Sequence, residues 1–224
     1  MVSRSVPYYA EQQRMLTEMV RAFWVPDTLI YDLGCSTATT AIALSRELPN
    51  ASIVGYDNSS PMIERAGAKI REAGLEDRIS IRHGDLNGNL DQIPIQSASV
   101  ATLCWTLQFV RPLNRDNLIR HLYDSLAENG VLLVTEKVLT NSGPTNRFFI
   151  DYYYDYKRRH GYSELEITKK REALENVMVP YRMDENLELF RRSGFEIVET
   201  FFQWYNFAGF LCVKKPAMRS TPAR

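Results

Sequence analysis

The chain has 224 residues, 45% hydrophobic and 24% charged, which excludes a disordered tail, a collagen-like chain and a disulfide-dense miniprotein. Lys plus Arg and Asp plus Glu both number 27, so the formal net charge is zero. Proteins that grip nucleic acid by neutralising phosphates carry a basic excess, so the balance points to a small-molecule substrate and to no direct nucleic-acid partner. No stretch reaches the roughly 18 apolar residues of a membrane helix, and the segment from Met1 to Pro7 has no apolar signal core. A cytoplasmic protein with no membrane partner is expected. Cys35, Cys104 and Cys212 lie far apart beside apolar runs, as free thiols do in a reducing compartment. His83, His121 and His160 are equally scattered, so no metal site is expected.

Apolar periodicity predicts a first helix over 9–23, with Met15, Leu16, Met19, Val20 and Phe23 on one face. A strand over 28–33 runs into Gly34, and a helix follows over 38–48. The second strand covers 52–56 and ends at Asp57. Ser60 reads as an N-cap with Pro61 as the first helical residue, and Gly74 closes that helix. Strands are expected over 79–83 and 99–105. A helix over 115–126 then leads through Asn129-Gly130 into a strand over 131–134. A helix near Asn186 precedes two strands, 196–201 and 207–213, which are too close for a helical crossover and must be antiparallel. Strands alternating with amphipathic helices predict an α/β fold whose parallel sheet is covered on both faces.

Residues 140–182 do not fit a minimal alternation of strands and helices. They hold a tyrosine-rich helix over 145–160 and a second helix opened by the capping box Ser163-x-x-Glu166. Extra helices at the C-terminal edge of a parallel sheet lie where the ligand crevice opens, so this insertion reads as a cap, with a dimer interface as the alternative. The expected organisation is one domain over 1–224, with the cap at 140–182 and a loose polar tail at 214–224. The tyrosines of the cap helix read mainly as core or interface, and His160 as a helix-end residue that complements the dipole.

Three successive strand ends carry the chemistry. The segment Asp32-Leu33-Gly34-Cys35-Ser36 joins a strand to a helix N-terminus, where a glycine and free N–H groups suit close approach to a ligand. Asp57 stands where a carboxylate accepts ribose hydroxyls. Asp85 stands where one accepts an adenine amino group. Together they predict an adenosyl ligand. Gly34 is followed by Cys35-Ser36-Thr37-Ala38-Thr39, with no further glycine, so a dinucleotide pyrophosphate is poorly served. The antiparallel final pair favours a Rossmann-like class I fold using S-adenosyl-L-methionine (SAM).

The sequence resembles the carboxy-S-adenosyl-L-methionine synthase family, a branch of the class I SAM-dependent methyltransferase superfamily. The matching stretches include Arg4-Ser5-Val6-Pro7, Tyr31 to Ser36, Asp57-Asn58-Ser59, Thr106-Leu107-Gln108-Phe109 and Glu136-Lys137. The most specific is the block Lys157-Arg158-x-x-Gly161-Tyr162-Ser163-Glu164-Leu165-Glu166-Ile167, continued by Lys170-Arg171 and by Leu174 to Met178. The resemblance implies a seven-stranded, mostly parallel sheet with an antiparallel last strand and a two-helix cap. It also implies transfer of a carboxyl group from prephenate to the methyl carbon of SAM, with release of phenylpyruvate, in a homodimer.

The SAM contacts implied by the resemblance are Tyr9, Gly34, Asp57, Asn58, Asp85 and Leu86, and Cys35, Ser36 and Cys104 complete the expected set. Arg171 matches the arginine that pairs with the new carboxylate. Cys104 departs from the family, which has a ligand-touching asparagine there, and a thiol lacks an amide's paired donor and acceptor. Tyr9, Cys104 and Arg171 are the candidate catalytic residues. The family also carries further residues ahead of the Arg-Ser-Val-Pro segment, so the expectation is either that a lid element is missing or that the sequence is trimmed at its start. Against the synthase reading stand a SAM enzyme with altered chemistry and a binding protein without catalysis. The altered chemistry would be methyl transfer, or cyclisation or elimination that releases methylthioadenosine.

Overall fold

The computed structural model describes residues 2–215. The elements run in the order α1 (Val2–Ser5), α2 (Tyr9–Phe23), β1 (Leu29–Leu33), α3 (Thr39–Glu47), β2 (Ser52–Asp57), α4 (Ser60–Glu72), β3 (Ile79–His83) and β4 (Ala98–Cys104). They continue with α5 (Pro112–Ser125), β5 (Leu126–Lys137), α6 (Gly143–Arg159), α7 (Glu164–Leu174), α8 (Met183–Arg192), β6 (Ile197–Trp204) and β7 (Phe207–Val213). The seven strands form one sheet in the order β3-β2-β1-β4-β5-β7-β6. The pairs among β1 to β5 are parallel, and β7 enters antiparallel to both β5 and β6.

The apolar strand runs bury both faces of this sheet. One core cluster gathers Leu33, Tyr56, Leu103, Leu132, Phe190 and Phe210. The other gathers Leu16, Val20, Ile30, Leu44, Ile53 and Val131. Neighbouring strand residues such as Leu132 and Leu133 thus point to opposite layers, which is why the central strands read as continuous apolar runs. A third, aromatic cluster of Val6, Tyr153 and Phe207, with Tyr9, Trp105 and Trp204 packed against it, ties the N-terminal segment and α6 to β7.

Several boundaries differ from expectation for local reasons. The fifth strand extends over Leu126–Lys137: Leu126 pairs with Ala98 of β4, Asn129 and Gly130 exchange backbone hydrogen bonds with Lys214 just past β7, and Thr135 to Lys137 pair with Phe207 to Gly209 of β7. That exchange, with Lys214 Nζ donating to the Tyr123 and Leu126 carbonyls and Lys215 pairing with Glu196, fixes the first two residues of the expected loose tail. The rest of that tail lies outside the described residues. Helix α4 begins at Ser60, one residue early, and neither Ser59 nor Ser60 caps it through its side chain; Asp57 Oδ1 instead accepts from Ser59 N at 2.9 Å. Gly74 closes α4 with φ +64°, and Leu75 N donates back to the Ile70 carbonyl.

Helix α7 opens with the expected box. Glu166 N donates to Ser163 Oγ at 3.2 Å, and Ser163 N donates to Glu166 Oε2 at 2.8 Å. The turn between α6 and α7 is fastened to the chain's start. Arg4 donates to the carbonyls of His160 and Gly161, and its guanidinium lies 5.0 Å from the Tyr162 ring centroid. Two blocks far apart in sequence, Arg4-Ser5-Val6-Pro7 and Gly161-Tyr162-Ser163, are therefore one structural unit. No helix is long and apolar enough to cross a membrane among the described residues.

Candidate active site

The C-terminal ends of β1, β2 and β4 open into a cavity of about 1050 Å³, which residues of α6 and α7 and of the segment before α2 also line. Its size is at the upper end of ordinary small-molecule pockets. Tyr9, Gly34, Cys35, Ser36, Asp57, Asn58, Asp85, Leu86, Cys104 and Arg171 all line it. His160 does not; its ring stacks on Tyr156 at 3.9 Å, and Nδ1 faces the Tyr156 carbonyl at the end of α6. Of the cap tyrosines, Tyr153 and Tyr154 line the cavity, whereas Tyr152 stacks outside on Tyr205.

The loop after β1 is bent by backbone that ordinary residues avoid. Gly34 has φ +75°, and a Cβ there would strike the Thr106 side chain, so the glycine is needed for packing against the β4 loop as well as for turning. Ser36, Ala38 and Trp105 also take left-handed φ. Such strain collects where surrounding structure holds a functional loop in place. Asp57 locks the loop from β2: its Oδ2 accepts from Ser36 N at 2.8 Å while its Oδ1 holds Ser59 N. Asp85 Oδ1 accepts from Asn87 N at 3.0 Å and from Asn58 Nδ2 at 3.4 Å. The acidic strand ends thus share one rim.

Deeper in the cavity the polar groups are only partly satisfied. Asp32 is 1% exposed; Oδ1 accepts from Thr102 Oγ1 at 2.9 Å, and Oδ2 has no partner. Burial pushes its carboxyl up to about 6, against the opposing Thr102 hydrogen bond. Burial, with Cys104 and Asp32 nearby, pushes the Tyr9 phenol up to about 12. Burial first, then the Asp32 charge, drives the Cys104 thiol well above its usual range, so it stays protonated near neutrality and is no activated nucleophile. The Cys35 thiol is raised in the same way.

The end of the cavity lined by α6, α7 and the end of β5 is basic. Lys137, Lys157 and Lys170 line the cavity together with Arg171. Burial lowers Lys137 to about 8. Burial, then the charges of Lys170 and Lys137, lowers Lys157 to about 8. Sequence reasoning did not single out these lysines or Asp32, although all four sit inside the conspicuous blocks. The usable signal was spacing: Lys157 lies four residues after Tyr153, on one helical face. Glu136, from the same blocks, has a structural place. It is fully buried, with its carboxyl raised by burial while Arg115 and the backbone N–H groups of residues 106–108 favour its charge. It braces the 3₁₀ turn Leu107–Phe109, from which Gln108 Oε1 accepts Lys137 N at 3.1 Å.

Comparison with known proteins agrees with this architecture. The family model described as a methyltransferase domain matches residues 30–130. Among solved structures, the YcgJ protein from Bacillus subtilis superposes with a TM-score of 0.67 at 12% identity, covering 91% of this chain and 99% of its own. Human N-acetylserotonin methyltransferase, in a complex with SAM, superposes with a TM-score of 0.62 at 16% identity, covering 93% of this chain and 52% of its own. These likenesses show the Rossmann-like class I fold. Curated relatives are much nearer in sequence. The carboxy-S-adenosyl-L-methionine synthase of Methylococcus capsulatus is 49% identical over 96% of this chain and 88% of its own length. That of Nautilia profundicola is 40% identical over 96% and 89%. With the strand order and identities of 49% and 40% over nearly the whole chain in agreement, the chain belongs to the carboxy-S-adenosyl-L-methionine synthase family of SAM-dependent transferases.

Proposed function

We propose that the protein is a carboxy-SAM synthase, which moves a carboxyl group from prephenate to the methyl carbon of SAM and releases phenylpyruvate and water, the water combining the ring hydroxyl of prephenate with a proton of the SAM methyl. The observation that carries the reading is that Arg171, from α7, lines the same cavity as the Gly34, Asp57 and Asp85 strand ends. One cavity thus offers adenosyl-binding groups and a guanidinium suited to a planar carboxylate. The residues present fit SAM. Asp57 and Asp85 present acceptors for ribose and adenine, Asp32 Oδ2 is a buried acceptor in want of a cationic amino group, and the rings of Tyr9, Tyr153 and Tyr154 suit a sulfonium. When bound, SAM would supply a methyl carbon whose protons the adjoining sulfonium acidifies, so that this carbon can take up the carboxyl group. The chain's own part is to hold the adenosyl end on acidic strand ends, pair the new carboxylate with Arg171 and exclude water under α6 and α7.

In this reading the protein is one cytoplasmic domain whose cap, residues 140–182, closes over the site. It acts as a homodimer, for which exposed Phe148, Tyr152 and Tyr205 offer an aromatic face. A second reading, cyclisation or elimination of SAM with release of methylthioadenosine, draws support from Cys104 in place of the family's asparagine. Turnover of SAM with and without prephenate, followed by mass spectrometry, separates the two. Carboxy-SAM formed only with prephenate supports the synthase; methylthioadenosine from SAM alone supports the rival.

A further inference from the structure

The end of the cavity lined by α6 and α7 carries positive charge that no carboxylate among the described residues pairs with. Lys137 Nζ lies 5.0 Å and Lys157 Nζ 4.4 Å from the centroid of the same Tyr153 ring, so the two ammonium groups flank one aromatic face region. Lys170 Nζ, from α7, donates to Ser5 Oγ at 2.7 Å, and Ser5 Oγ is 3.4 Å from the Tyr153 hydroxyl. Lys157 is only 4% exposed. Among the described residues, none of the three has a carboxylate within ion-pair distance. The titratable groups that bear on Lys157 are Lys137 from β5, Lys170 from α7, and Tyr153 and Tyr154 on its own helix. Burying like charges without a counter-ion is costly, and the cost is relieved when a ligand brings the anions.

We infer that Lys137, Lys157 and Lys170, grouped around Tyr153, form a subsite for the retained carboxylate of a dicarboxylate carboxyl donor, with Lys157 determining its specificity. The inference rests on the carboxyl-transfer reading and assigns a role apart from Arg171. A donor that gives up one of two carboxylates keeps the other throughout. The kept group needs a fixed cationic partner, while the transferred one ends at Arg171. Tyr153 supplies an apolar wall beside the charge, as suits a donor whose kept carboxylate ends a side chain carried by a carbon ring.

The test uses the whole protein saturated with S-adenosylhomocysteine, which lacks the methyl carbon and so prevents turnover. Prephenate is titrated in by calorimetry at pH 8, in two buffers of different ionisation enthalpy. Because Lys137 and Lys157 titrate at about 8 when free, a bound anion should draw protons onto them, and binding should be accompanied by net proton uptake. Lys157→Met should weaken prephenate about tenfold or more and remove much of the uptake, with S-adenosylhomocysteine affinity held within about twofold. Lys170→Met should shift prephenate in the same direction, which keeps the test alive if Lys157→Met fails to fold. No proton uptake in the unaltered protein, or unchanged prephenate affinity in a folded variant, would overturn the subsite. The reaction is judged separately. Carboxy-SAM formation with an unchanged prephenate KM in both variants would overturn the subsite and leave the synthase reading standing. Lysine-dependent binding and proton uptake without any carboxy-SAM would support the subsite and overturn the reaction.

Discussion

Replacing Asp57 by alanine perturbs two things whose sizes can be separated. In the protein alone, Asp57 accepts from Ser36 N at 2.8 Å and from Ser59 N at 2.9 Å. Ser36 is exposed, so water replaces that partner at little cost; Ser59 is half-buried and loses more. The expected loss of folding stability is about 1–2 kcal/mol, near the lower end for hydrogen bonds to charged groups. In the proposed complex the same carboxylate would accept from the ribose, and losing that should add about 2–3 kcal/mol to the binding free energy. The dissociation constant for SAM should therefore rise about 30- to 150-fold. Urea unfolding measures the first quantity and calorimetric titration with SAM the second. Asp57→Asn, which keeps one acceptor, should fall between the two proteins. Lower stability with SAM affinity unchanged would refute the ribose assignment and leave Asp57 as a brace for the β1 loop.

Arg171→Leu should abolish carboxy-SAM formation while largely sparing SAM binding, checked by product mass spectrometry and calorimetry; loss of SAM affinity equal to the loss of activity would contradict it. Cys35, Cys104 and Cys212, all raised by burial, should resist alkylation at pH 8 until the protein unfolds, and rapid labelling of the native protein would show the thiols to be activated. Asp32, raised from 3.8 to about 6, binds more protons folded than unfolded between these values. Its contribution to stability is therefore full below pH 3.8 and is lost as pH rises through 6, a change of about 3 kcal/mol. In Asp32→Asn that part of the pH dependence should vanish from a urea-unfolding series, and an unchanged profile would place the titration elsewhere.

What the sequence made legible depended on whether the cause was local. The runs of β3 and β7 are bounded by their own turn residues, and both were read to the residue. Strand β5 is longer than its apolar run because distant partners hold both ends, Lys214 at Asn129 and Gly130 and residues Phe207 to Gly209 at Thr135 to Lys137, and no window of sequence reveals them. Helix α1 has four residues, too few to display a period. At the site, Gly34, Asp57 and Asp85 stood out because strand ends announce themselves. The need for glycine at position 34, however, comes partly from Thr106 on another strand's loop. Lys157 was hidden for a different reason. In the run Lys157-Arg158-Arg159 at a helix end it reads as solvated charge complementing the dipole, and only the fold of α6 against Phe207 turns it inward, beside Tyr153.

The most direct test of the account is the product formed by the purified protein from SAM, with and without prephenate, resolved by chromatography and mass spectrometry. The account predicts carboxy-SAM and phenylpyruvate in equal amounts when prephenate is present, and neither when it is omitted. Methylthioadenosine released from SAM alone above the non-enzymatic rate, or no carboxy-SAM with prephenate supplied, would contradict it.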